Sequence, residues 1–324
     1  MRQEVGEKFI IIYRLSMLDL IEDGSTWEEI VQLAQAIEAA GATILNTGIG
    51  WHEARIPTIA TSVPRGGFSW VTQKMMGSVK IPLITTNRIN TPEIGEDILA
   101  NGHADMVSMA RPMLADPDFV RKAMENKSDE INTCIGCNQA CLDHSFASKK
   151  ASCLVNPRAG HETELNYVTT KTPVKVAVIG AGPAGLSCAT IAAQRGHDVT
   201  LFDSSDEIGG QFNMAKKVPG KEEFYETLRY FNRQIELSGV KLQLNHRVTA
   251  EELLAAGFQK IVLATGVIPR ALKVKGAEGN PKVVSYIDVL RGKVQLGKTI
   301  AIVGAGGIGF DVAEFVTQKG ESSR

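Results

Sequence analysis

The sequence lacks the features of membrane, nucleic-acid-binding and disulfide-stabilised proteins. Its longest apolar runs, such as Phe9–Tyr13, fall far short of the roughly 18 residues that a membrane span needs. Its 35 basic and 36 acidic side chains leave a net charge of −1, so no excess of positive charge indicates a nucleic-acid partner. Five cysteines in a chain without a secretion signal favour metal binding or catalysis over disulfides.

The amino terminus gives no indication of export. The segment MRQEVGEKF carries acidic residues and lacks the apolar centre of a signal peptide, so we expect a cytoplasmic protein. Hydrophobic residues at 44% and charged residues at 22% are usual for a globular protein. A length of 324 residues allows two or more domains, because one domain usually takes about 100 to 200 residues.

The first third of the chain alternates strand-like apolar runs with amphipathic helical stretches, which predicts a parallel α/β fold. The predicted strands are Phe9–Tyr13, Thr43–Asn46, Ile81–Thr85 and Asp105–Met109. Ser25 and Glu28 have the spacing of a capping box, and Thr91 with Pro92 begins another helix. Four β/α units are half of a closed barrel. We therefore expect either a small open sheet or the C-terminal half of a (β/α)8 TIM barrel, truncated at its front.

A cysteine motif follows this region, with the spacing C-x2-C-x3-C-x11-C. Its members are Cys134, Cys137, Cys141 and Cys153. Three thiols come from one tight loop and the fourth from further along, so four thiolates can surround one metal centre. The spacing does not divide into the two C-x2-C knuckles of zinc modules, which favours a [4Fe–4S] cluster over structural zinc.

A second α/β region begins with a predicted strand, Val174–Ile179, that runs into the sequence G-x-G-x-x-G. In such a turn Gly180 permits the tight bend, Gly182 lets the backbone approach a pyrophosphate, and Gly185 allows close packing of the next helix. Ala181 lies between the first two glycines. This pattern predicts a Rossmann-like dinucleotide site, with the phosphates at the helix N-terminus.

Further residues indicate which dinucleotide this turn binds. Asp203 ends the next predicted strand about 20 residues on, where a carboxylate would hold a ribose hydroxyl. Gln211, in Gly-Gly-Gln, and the later Ala-Thr-Gly resemble the first domain of FAD-dependent pyridine-nucleotide reductases. We therefore expect FAD.

A second glycine-rich turn follows a predicted strand at Thr299–Val303 and contains Gly304, Gly306 and Gly309. It implies a second dinucleotide, and the natural interpretation is NAD(P)H. The acidic residue or arginine that distinguishes NADH from NADPH would lie beyond Arg324, so we expect the chain to be cut there too.

Three arginines lie near predicted strand ends in the first region. Enzymes with barrel folds place function at these ends and often bind phosphate after strands seven and eight. Arg88 and Arg111 suit an FMN phosphate, and Arg14 suits the flavin N1/O2 edge. Each arginine taken alone is more often a solvated surface charge. His52, in Trp-His-Glu-Ala-Arg, is a candidate proton donor or substrate-orienting group, or a packed loop residue.

Several segments together resemble the bacterial 2,4-dienoyl-CoA reductase family of the old yellow enzyme superfamily. They are WHEARIPTIAT, TCIGCNQACLD, SCLVNPR, GAGPAG, EIGGQFN and PGKEEFYETLRY, and the resemblance covers essentially the whole chain. The resemblance implies that NADPH reduces FAD, that electrons pass singly through the cluster to FMN, and that FMN reduces an acyl-CoA thioester in unsaturated fatty-acid β-oxidation.

The same resemblance implies roles for individual residues. His52 would belong to a proton-donating pair whose other member lies outside this chain, and the FMN-binding residues would be Arg14, Arg88, Ala110 and Arg111. The chain departs from the family by truncation at both ends, so we expect incomplete FMN and NADPH sites and no turnover from this polypeptide alone.

The predicted division of the chain has four parts. They are residues 1–128, the second half of an FMN-binding barrel; 129–160, the cluster segment; 161–290, the first part of an FAD domain; and 291–324, the start of an NAD(P)H domain. Three alternatives stay open: an enoate reductase, NADH:flavin reductase or amine dehydrogenase of the same architecture; an electron-transfer module; and an inactive fragment whose cysteines clamp zinc.

Overall fold

The computed structural model describes residues 1–51, 54–270 and 272–318, arranged as two compact units. The first unit comprises residues 1–161 and the second begins at residue 162. Each unit contains a four-stranded sheet in which every neighbouring pair of strands is parallel. The predicted parallel α/β fold is therefore confirmed in both regions.

The sheet of the first unit follows chain order, β1-β2-β3-β4. Its strands are β1 (Ile12–Leu18), β2 (Ile44–Ile49), β3 (Leu83–Thr85) and β4 (Met106–Val107). Its helices are α1 (Arg2–Val5), α2 (Trp27–Ala39), α3 (Ser69–Met75), α4 (Pro92–Ala100), α5 (Arg111–Ala115), α6 (Phe119–Met124) and α7 (Leu142–Phe146), with a 3-10 turn at Ser128–Glu130. Sequential parallel pairing is the arrangement that successive β/α units of a barrel produce.

The core of the first unit lies between the sheet and helices α2 and α3. Met17 and Leu45 on the strands are fully buried, and Ile30, Ala34 and Ile37 form the buried stripe of α2. The spacing of these three residues is the apolar periodicity of an amphipathic helix, as expected from the amphipathic stretches of the first region. Burial of this stripe holds α2 on the sheet and leaves the carboxyl ends of the strands available for functional loops.

Helix α2 begins one residue later than its predicted capping box. Thr26 is the N-cap: its hydroxyl accepts from the Glu29 backbone N–H at 3.3 Å, and the Glu29 carboxylate accepts from the Thr26 N–H at 2.8 Å. The predicted Ser25–Glu28 pair is wrong because the Ser25 N–H donates instead to the Asp19 carboxylate at 2.9 Å. The expected cap and N1 proline at Thr91 and Pro92 are confirmed in α4.

Strand β1 also differs from its prediction, since it runs over Ile12–Leu18 and not Phe9–Tyr13. Pairing with β2 starts at Ile12 opposite Ile44, while the side chains of Phe9 and Ile10 are exposed. Arg14 therefore lies inside the strand and not after its end.

The sheet of the second unit has the order β7-β6-β5-β8. Its strands are β5 (Lys175–Ile179), β6 (Asp198–Phe202), β7 (Lys241–Gln243) and β8 (Lys260–Leu263). Its helices are α8 (Pro183–Gln194), α9 (Phe212–Ala215), α10 (Glu223–Ser238), α11 (Ala250–Ala255), α12 (Tyr286–Leu290) and α13 (Gly307–Thr317). Helix α8 connects the neighbouring parallel strands β5 and β6, which makes the βαβ unit of a nucleotide-binding fold.

One strand predicted in the second unit is wrong. Residues 299–303 form no strand, because no strand within the described residues pairs with them. A strand needs a neighbour to satisfy its backbone hydrogen bonds. Across the described ranges, no helix combines the length and the apolar character that a membrane crossing requires.

Candidate functional site

The cysteines of the predicted cluster segment all line one cavity of the first unit. They are Cys134, Cys137, Cys141 and Cys153, and all four are free thiols. The first three come from the loop that leads into α7, and Cys141 is the residue that caps this helix. The structure thus brings together all four side chains that the spacing selected.

Two hydrogen bonds hold the segment that contains the fourth cysteine close to the other three. The Asn132 side-chain amide donates to the Val155 carbonyl oxygen at 2.9 Å, and the Ser152 backbone N–H donates to the Ala140 carbonyl oxygen at 2.7 Å. These two bonds hold the segment around Cys153 against the cysteine loop on both sides. The cavity is therefore shaped by the chain itself.

A buried carboxylate anchors this arrangement. Asp116 is 3% exposed and accepts from the Asn132 backbone N–H at 2.8 Å and from the Lys122 ammonium at 2.6 Å. Lys122 also donates to the Glu130 carbonyl oxygen at 3.0 Å. Removing one partner of such a buried pair leaves an uncompensated charge, which costs about 3–5 kcal/mol. No local pattern indicated Asp116 as an anchor, because its partners lie 6 and 16 residues away.

The surroundings of three of the cavity thiols disfavour their ionised form. Burial raises the pKa of Cys134 and Cys137 and raises the pKa of Cys153 to about 11. Metal ligands must be thiolates, so a positively charged centre is what would stabilise the ionised form here.

The arrangement of the thiols also bears on the kind of metal centre. Within the described residues, no group of three or more His, Cys, Asp or Glu side chains is arranged so that it could hold a metal ion. Tetrahedral zinc, with Zn–S of about 2.3 Å, requires sulfurs about 3.8 Å apart. A four-iron cluster is larger and holds its thiolates farther apart. The structure places all four thiols around one cavity, and the [4Fe–4S] assignment stays a prediction.

Arg88, predicted to bind FMN phosphate, lies against the cysteine loop. It is 5% exposed, and its Nε donates to the Val63 carbonyl oxygen at 2.8 Å. A Cβ added to Gly136 would lie 3.0 Å from a terminal nitrogen of Arg88, so Gly136 gives the guanidinium room. The Arg88 charge acts to lower the pKa of Cys134, although burial outweighs it.

Arg111 occupies the same region from another direction. It is the first residue of α5 after its N-cap Ala110, it lines the cysteine cavity, and it donates to the Ile59 carbonyl oxygen at 2.9 Å. The same nitrogen also donates to the side-chain oxygen of Asn138, between Cys137 and Cys141. Arg111 therefore connects the helix after β4 to the cysteine loop.

Arg14 has a different environment within β1. Its guanidinium donates to the side-chain oxygen of Asn46 on β2 at 2.5 Å, and the Asn46 amide donates to the Ser108 hydroxyl at 3.1 Å. This chain of polar groups joins β1, β2 and the residue directly after β4. Its role toward a flavin stays a prediction.

His52 lies outside the described residues, but the residue before it has a defined partner. The Trp51 indole N–H donates to the Asp19 carboxylate at 2.7 Å. Sequence analysis missed Asp19. The available signal was an acidic residue within the apolar segment Met-Leu-Asp-Leu, directly after a strand.

The first glycine-rich turn has the geometry that its sequence predicts. Gly180 has φ +108°, in the region that favours glycine, and a Cβ on Gly185 would lie 1.8 Å from the Gly180 carbonyl oxygen. By contrast, a Cβ on Gly182 would meet nothing within 4 Å. The first and third glycines are therefore required by the fold, while the second opens onto free space that a pyrophosphate can approach.

Asp203 and Ala181 are joined directly beside this turn. Ala181 is fully buried, and its N–H donates to one Asp203 carboxylate oxygen at 2.6 Å, while the other oxygen accepts from the Ser205 N–H at 2.8 Å. The Gln211 amide donates to the Val267 carbonyl oxygen at 3.2 Å. Their proposed contacts with FAD stay predictions.

The second glycine-rich turn repeats the geometry of the first. Gly304 has φ +115°, and a Cβ on Gly309 would lie 2.2 Å from its carbonyl oxygen. A Cβ on Gly306 would meet nothing within 4 Å, and α13 starts at the next residue. The turn therefore offers an open helix N-terminus of the kind that binds phosphate.

Comparisons with known proteins agree with this two-part arrangement. Residues 1–130 match the family described as NADH:flavin oxidoreductase / NADH oxidase, and residues 174–323 match the pyridine nucleotide-disulphide oxidoreductase family. Both descriptions name redox cofactors, a flavin with NADH in the first and a pyridine nucleotide in the second.

Individual relatives match over nearly the whole chain. A metal reductase of Desulforamulus reducens is 40% identical over 98% of this chain and 48% of that protein. An NADH oxidase of Thermoanaerobacter brockii is 35% identical over 98% of this chain and 50% of that protein. This chain thus spans about half the length of the curated relatives it matches.

A solved structure of a 2-naphthoyl-CoA reductase in complex with 2-naphthoyl-CoA has a TM-score of 0.92 at 37% identity, over 97% of this chain and 48% of that one. The first unit is therefore a TIM-barrel segment of old yellow enzyme type and the second is Rossmann-like, which confirms the predicted fold class. The chain combines a segment of the NADH:flavin oxidoreductase / NADH oxidase family with a segment of the pyridine nucleotide-disulphide oxidoreductase family.

Proposed function

We propose that the protein reduces a carbon–carbon double bond conjugated to the carbonyl of a CoA thioester, with NADPH as electron donor. The observation that carries the proposal is the four-cysteine cavity in the same unit as the flavin-oxidoreductase segment, with Arg111 contacting the cysteine loop. Likeness to a reductase solved with a CoA thioester supports the substrate class. No observation favours a nucleic-acid partner.

The proposed cofactors are FMN, a [4Fe–4S] cluster, FAD and NADPH. When bound, FMN would supply hydride to the substrate, FAD would accept hydride from NADPH, and the cluster would carry single electrons between the flavins. The cluster ligands would be Cys134, Cys137, Cys141 and Cys153. The flavin- and nucleotide-binding residues would be Arg14, Arg88, Ala110 and Arg111 for FMN, Gly180, Ala181, Gly182, Gly185, Asp203 and Gln211 for FAD, and Gly304, Gly306 and Gly309 for NADPH.

The residues of this chain would perform distinct tasks. The guanidinium of Arg88 is buried beside the cysteine loop and offers fixed positive charge near the proposed cluster ligands. Gly182 leaves its backbone open to a pyrophosphate. His52 would hold the proton that the substrate carbon accepts, which requires an imidazole within hydrogen-bond reach of it.

We propose 2,4-dienoyl-CoA as the specific substrate, on the residue patterns shared with that reductase family. The four-part division of the chain, 1–128, 129–160, 161–290 and 291–324, stays part of this proposal. The boundary between compact units after residue 161 supports only its separation of the cluster segment from the FAD domain. A cytoplasmic location is proposed on the free thiols of all five cysteines.

The test uses the protein produced from its complete gene and purified without oxygen. NADPH oxidation is measured with 2,4-dienoyl-CoA, with 2-naphthoyl-CoA and with a cyclic enone. Fast turnover of the dienoyl thioester alone supports the specific proposal. Turnover of the aromatic thioester would instead indicate that the enzyme reduces an aromatic ring. Preference for the cyclic enone would indicate a general ene reductase and not a thioester reductase.

One relative favours a second candidate, the reduction of metal ions. The curated protein with 40% identity is named a metal reductase. A chain that delivers single electrons through a cluster suits a one-electron acceptor, because such acceptors take no hydride. Ferric citrate in place of the thioester tests this candidate. NADPH oxidation with ferric citrate but with none of the thioesters would favour it.

A further inference from the structure

Thr61 joins the segment between β2 and α3 to the cysteine loop. Its hydroxyl donates to the Ile135 carbonyl oxygen at 2.9 Å, across 74 residues of sequence. Ile135 is 5% exposed, so its carbonyl group is shielded from water and relies on a protein donor. Thr61 therefore supports the cysteine loop at a peptide that lies between Cys134 and Cys137.

The Ile135 carbonyl belongs to the same peptide unit as the Gly136 N–H. The C=O and N–H groups of a trans peptide point in opposite directions, so a donor at the oxygen fixes the direction of the N–H. Burial raises the pKa of the Cys134 thiol, and a hydrogen bond from the Gly136 N–H acts in the opposite direction. This peptide thus has the Thr61 hydroxyl at its oxygen and the Cys134 sulfur at its nitrogen.

Gly136 has the conformation and the surroundings that this arrangement requires. Its φ is +66°, in the region that favours glycine. A Cβ at this position would lie 3.2 Å from the Thr61 hydroxyl oxygen and 3.0 Å from a terminal nitrogen of Arg88. Both distances are shorter than ordinary carbon contacts. Glycine therefore lets Thr61 approach the peptide closely.

A second side chain holds the preceding peptide of the loop. The Asn90 side-chain amide donates to the Cys134 carbonyl oxygen at 2.9 Å, and Asn90 is 2% exposed. Asn90 lies between β3 and α4, so the two consecutive carbonyls have donors from different β/α units. Loss of the Thr61 hydroxyl should therefore release the Ile135–Gly136 peptide while the rest of the loop stays anchored.

Two hydrogen bonds that are linked through one peptide strengthen each other. A donor at the carbonyl oxygen polarises the peptide and makes its N–H a better donor, by roughly 10–30% per bond. Hydrogen bonds to the sulfurs are among the features that set the reduction potential of an iron–sulfur cluster, because they stabilise the extra negative charge of the reduced form. The Thr61 hydroxyl is connected to such a sulfur through a single peptide.

We propose that Thr61 is a positioning residue for the metal centre at the four cysteines, acting through the Ile135–Gly136 peptide on the Cys134 sulfur. The inference rests on the proposed function, in which these cysteines hold a cluster that carries electrons. Thr61 supplies no ligand. Its hydroxyl keeps the Gly136 N–H directed at the sulfur, which raises the reduction potential of the cluster and slows the release of its metal.

The test compares Thr61→Val with Thr61→Ser in the protein produced from its complete gene and purified without oxygen. Thr61→Val removes the hydroxyl and keeps the branched shape, whereas Thr61→Ser keeps the hydroxyl. In a redox titration followed by electron paramagnetic resonance, Thr61→Val should lower the ratio of reduced to oxidised cluster at a fixed potential about threefold, which is about 28 mV for one electron. Its metal should pass to the chelator pyridylazoresorcinol about fivefold faster, the factor that one ordinary hydrogen bond contributes. Thr61→Ser should match the wild type in both measurements.

Ser145→Ala is the matched control. The Ser145 hydroxyl also donates to a carbonyl oxygen of the cysteine loop, that of Cys141, at 2.9 Å, but this oxygen accepts from the Ser145 N–H at 3.0 Å as well. The substitution leaves that carbonyl bonded, so the potential and the release rate should stay at their wild-type values. A wild-type potential in Thr61→Val, or an equal shift in Thr61→Ser, would overturn the positioning role. Thr61→Ala, which also removes the hydroxyl and should show the same shift, covers the case in which Thr61→Val fails to fold.

Metal release separates this inference from the proposed function. If the wild type holds a cluster but reduces no thioester, the proposed function fails, and the potential of Thr61→Val still decides the inference. If the wild type holds zinc, faster zinc release from Thr61→Val supports the positioning role and an equal rate overturns it. A wild type that holds neither metal overturns it as well.

Discussion

Asn132 donates its side-chain amide to the carbonyl oxygen of Val155 at 2.9 Å, which joins the chain just before Cys134 to the chain just after Cys153. Asn132 is 7% exposed, so the bond is shielded from water. The fourth cysteine is thus held near the other three by contacts that involve no metal.

Asn132→Ala should therefore weaken the retention of the proposed cluster. The substitution leaves the Val155 carbonyl without its donor, a loss of about 1–3 kcal/mol for a buried group, and frees the Cys153 segment. We expect iron and labile sulfide per protein to fall after gel filtration, together with the visible absorbance. Iron analysis of the anaerobically purified protein checks this.

Asn166→Ala provides the matched control, because that asparagine is exposed in the second unit and its amide donates to the Thr163 carbonyl oxygen at 3.1 Å. It should retain iron like the wild type. Equal iron content in Asn132→Ala and Asn166→Ala would show that the Asn132 contact does not support the cavity.

Cys137→Ser should abolish the proposed cluster and stop electron flow from FAD to FMN. A serine hydroxyl is far less acidic than a thiol and a poorer ligand for iron, so one corner of the cluster is lost. The measurement is bleaching of visible absorbance together with stopped-flow reduction of each flavin by NADPH. Unchanged FMN reduction in this variant would exclude the relay.

Cys188→Ser is the control for thiol chemistry in general. Cys188 lies on α8 and contacts the core of the second unit, and it does not line the cavity. Metal analysis of the wild type also distinguishes the two metal centres considered for the cavity. Iron with labile sulfide supports the cluster. Stoichiometric zinc would instead indicate that the cysteines form a structural zinc site.

Local patterns in the sequence were sufficient to predict the fold. The alternation of apolar runs with amphipathic stretches predicted the β/α units of the first region, and the glycine spacing predicted the geometry of both glycine-rich turns. Element ends were less accurate. Ser25 and Thr26 both have a glutamate three residues later, and only the tertiary bond from Ser25 to Asp19 decides which of them caps the helix.

Contacts between distant residues could not be predicted from the same patterns. The bond from Trp51 to Asp19 spans 32 residues, and the bond from Arg111 to Asn138 spans 27. No periodicity relates such pairs, because their distance depends on how loops from different β/α units meet. The sequence therefore identified the cysteines as a set but gave no indication of the side chains that hold them.

Gly182→Ala and Gly185→Ala should separate ligand binding from folding. A Cβ on Gly185 would clash with the Gly180 carbonyl oxygen at 1.8 Å, so this variant should unfold at lower temperature even without FAD. A Cβ on Gly182 meets no protein atom within 4 Å, so this variant should keep its stability and lose FAD affinity about tenfold or more. Thermal unfolding and flavin titration are the measurements.

The second turn supplies the corresponding pair. Gly309→Ala would clash with the Gly304 carbonyl oxygen at 2.2 Å, whereas a Cβ on Gly306 meets nothing. Gly306→Ala should weaken NADPH binding and leave FAD in place. Loss of FAD from Gly306→Ala, or normal FAD binding by Gly182→Ala, would contradict the assignment of the two turns.

Asp19 should make folding stability depend on pH in the acidic range. Burial disfavours its charged form, but hydrogen bonds from Ser25, Ser16 and Trp51 outweigh this, so the pKa of Asp19 is lowered from its ordinary value. A carboxylate with a lowered folded-state pKa stabilises the protein above its unfolded pKa of about 3.9. The stabilisation is lost as the pH falls through the folded-state pKa.

Asp19→Asn removes this titration while nearly preserving side-chain size. At neutral pH the variant should be less stable by about 1–3 kcal/mol. The wild-type carboxylate accepts three hydrogen bonds, whereas the NH2 group of the asparagine amide cannot accept any, so one donor loses its acceptor. The deficit should begin to shrink as the pH falls below the unfolded pKa of about 3.9, and it should be lost below the lowered folded-state pKa, where Asp19 in the wild type is protonated as well. Urea unfolding at several pH values measures it. Asp23→Asn, which changes an exposed carboxylate of the same turn, is the matched control. A deficit in Asp19→Asn that stays constant with pH would mean that the charge of Asp19 contributes nothing.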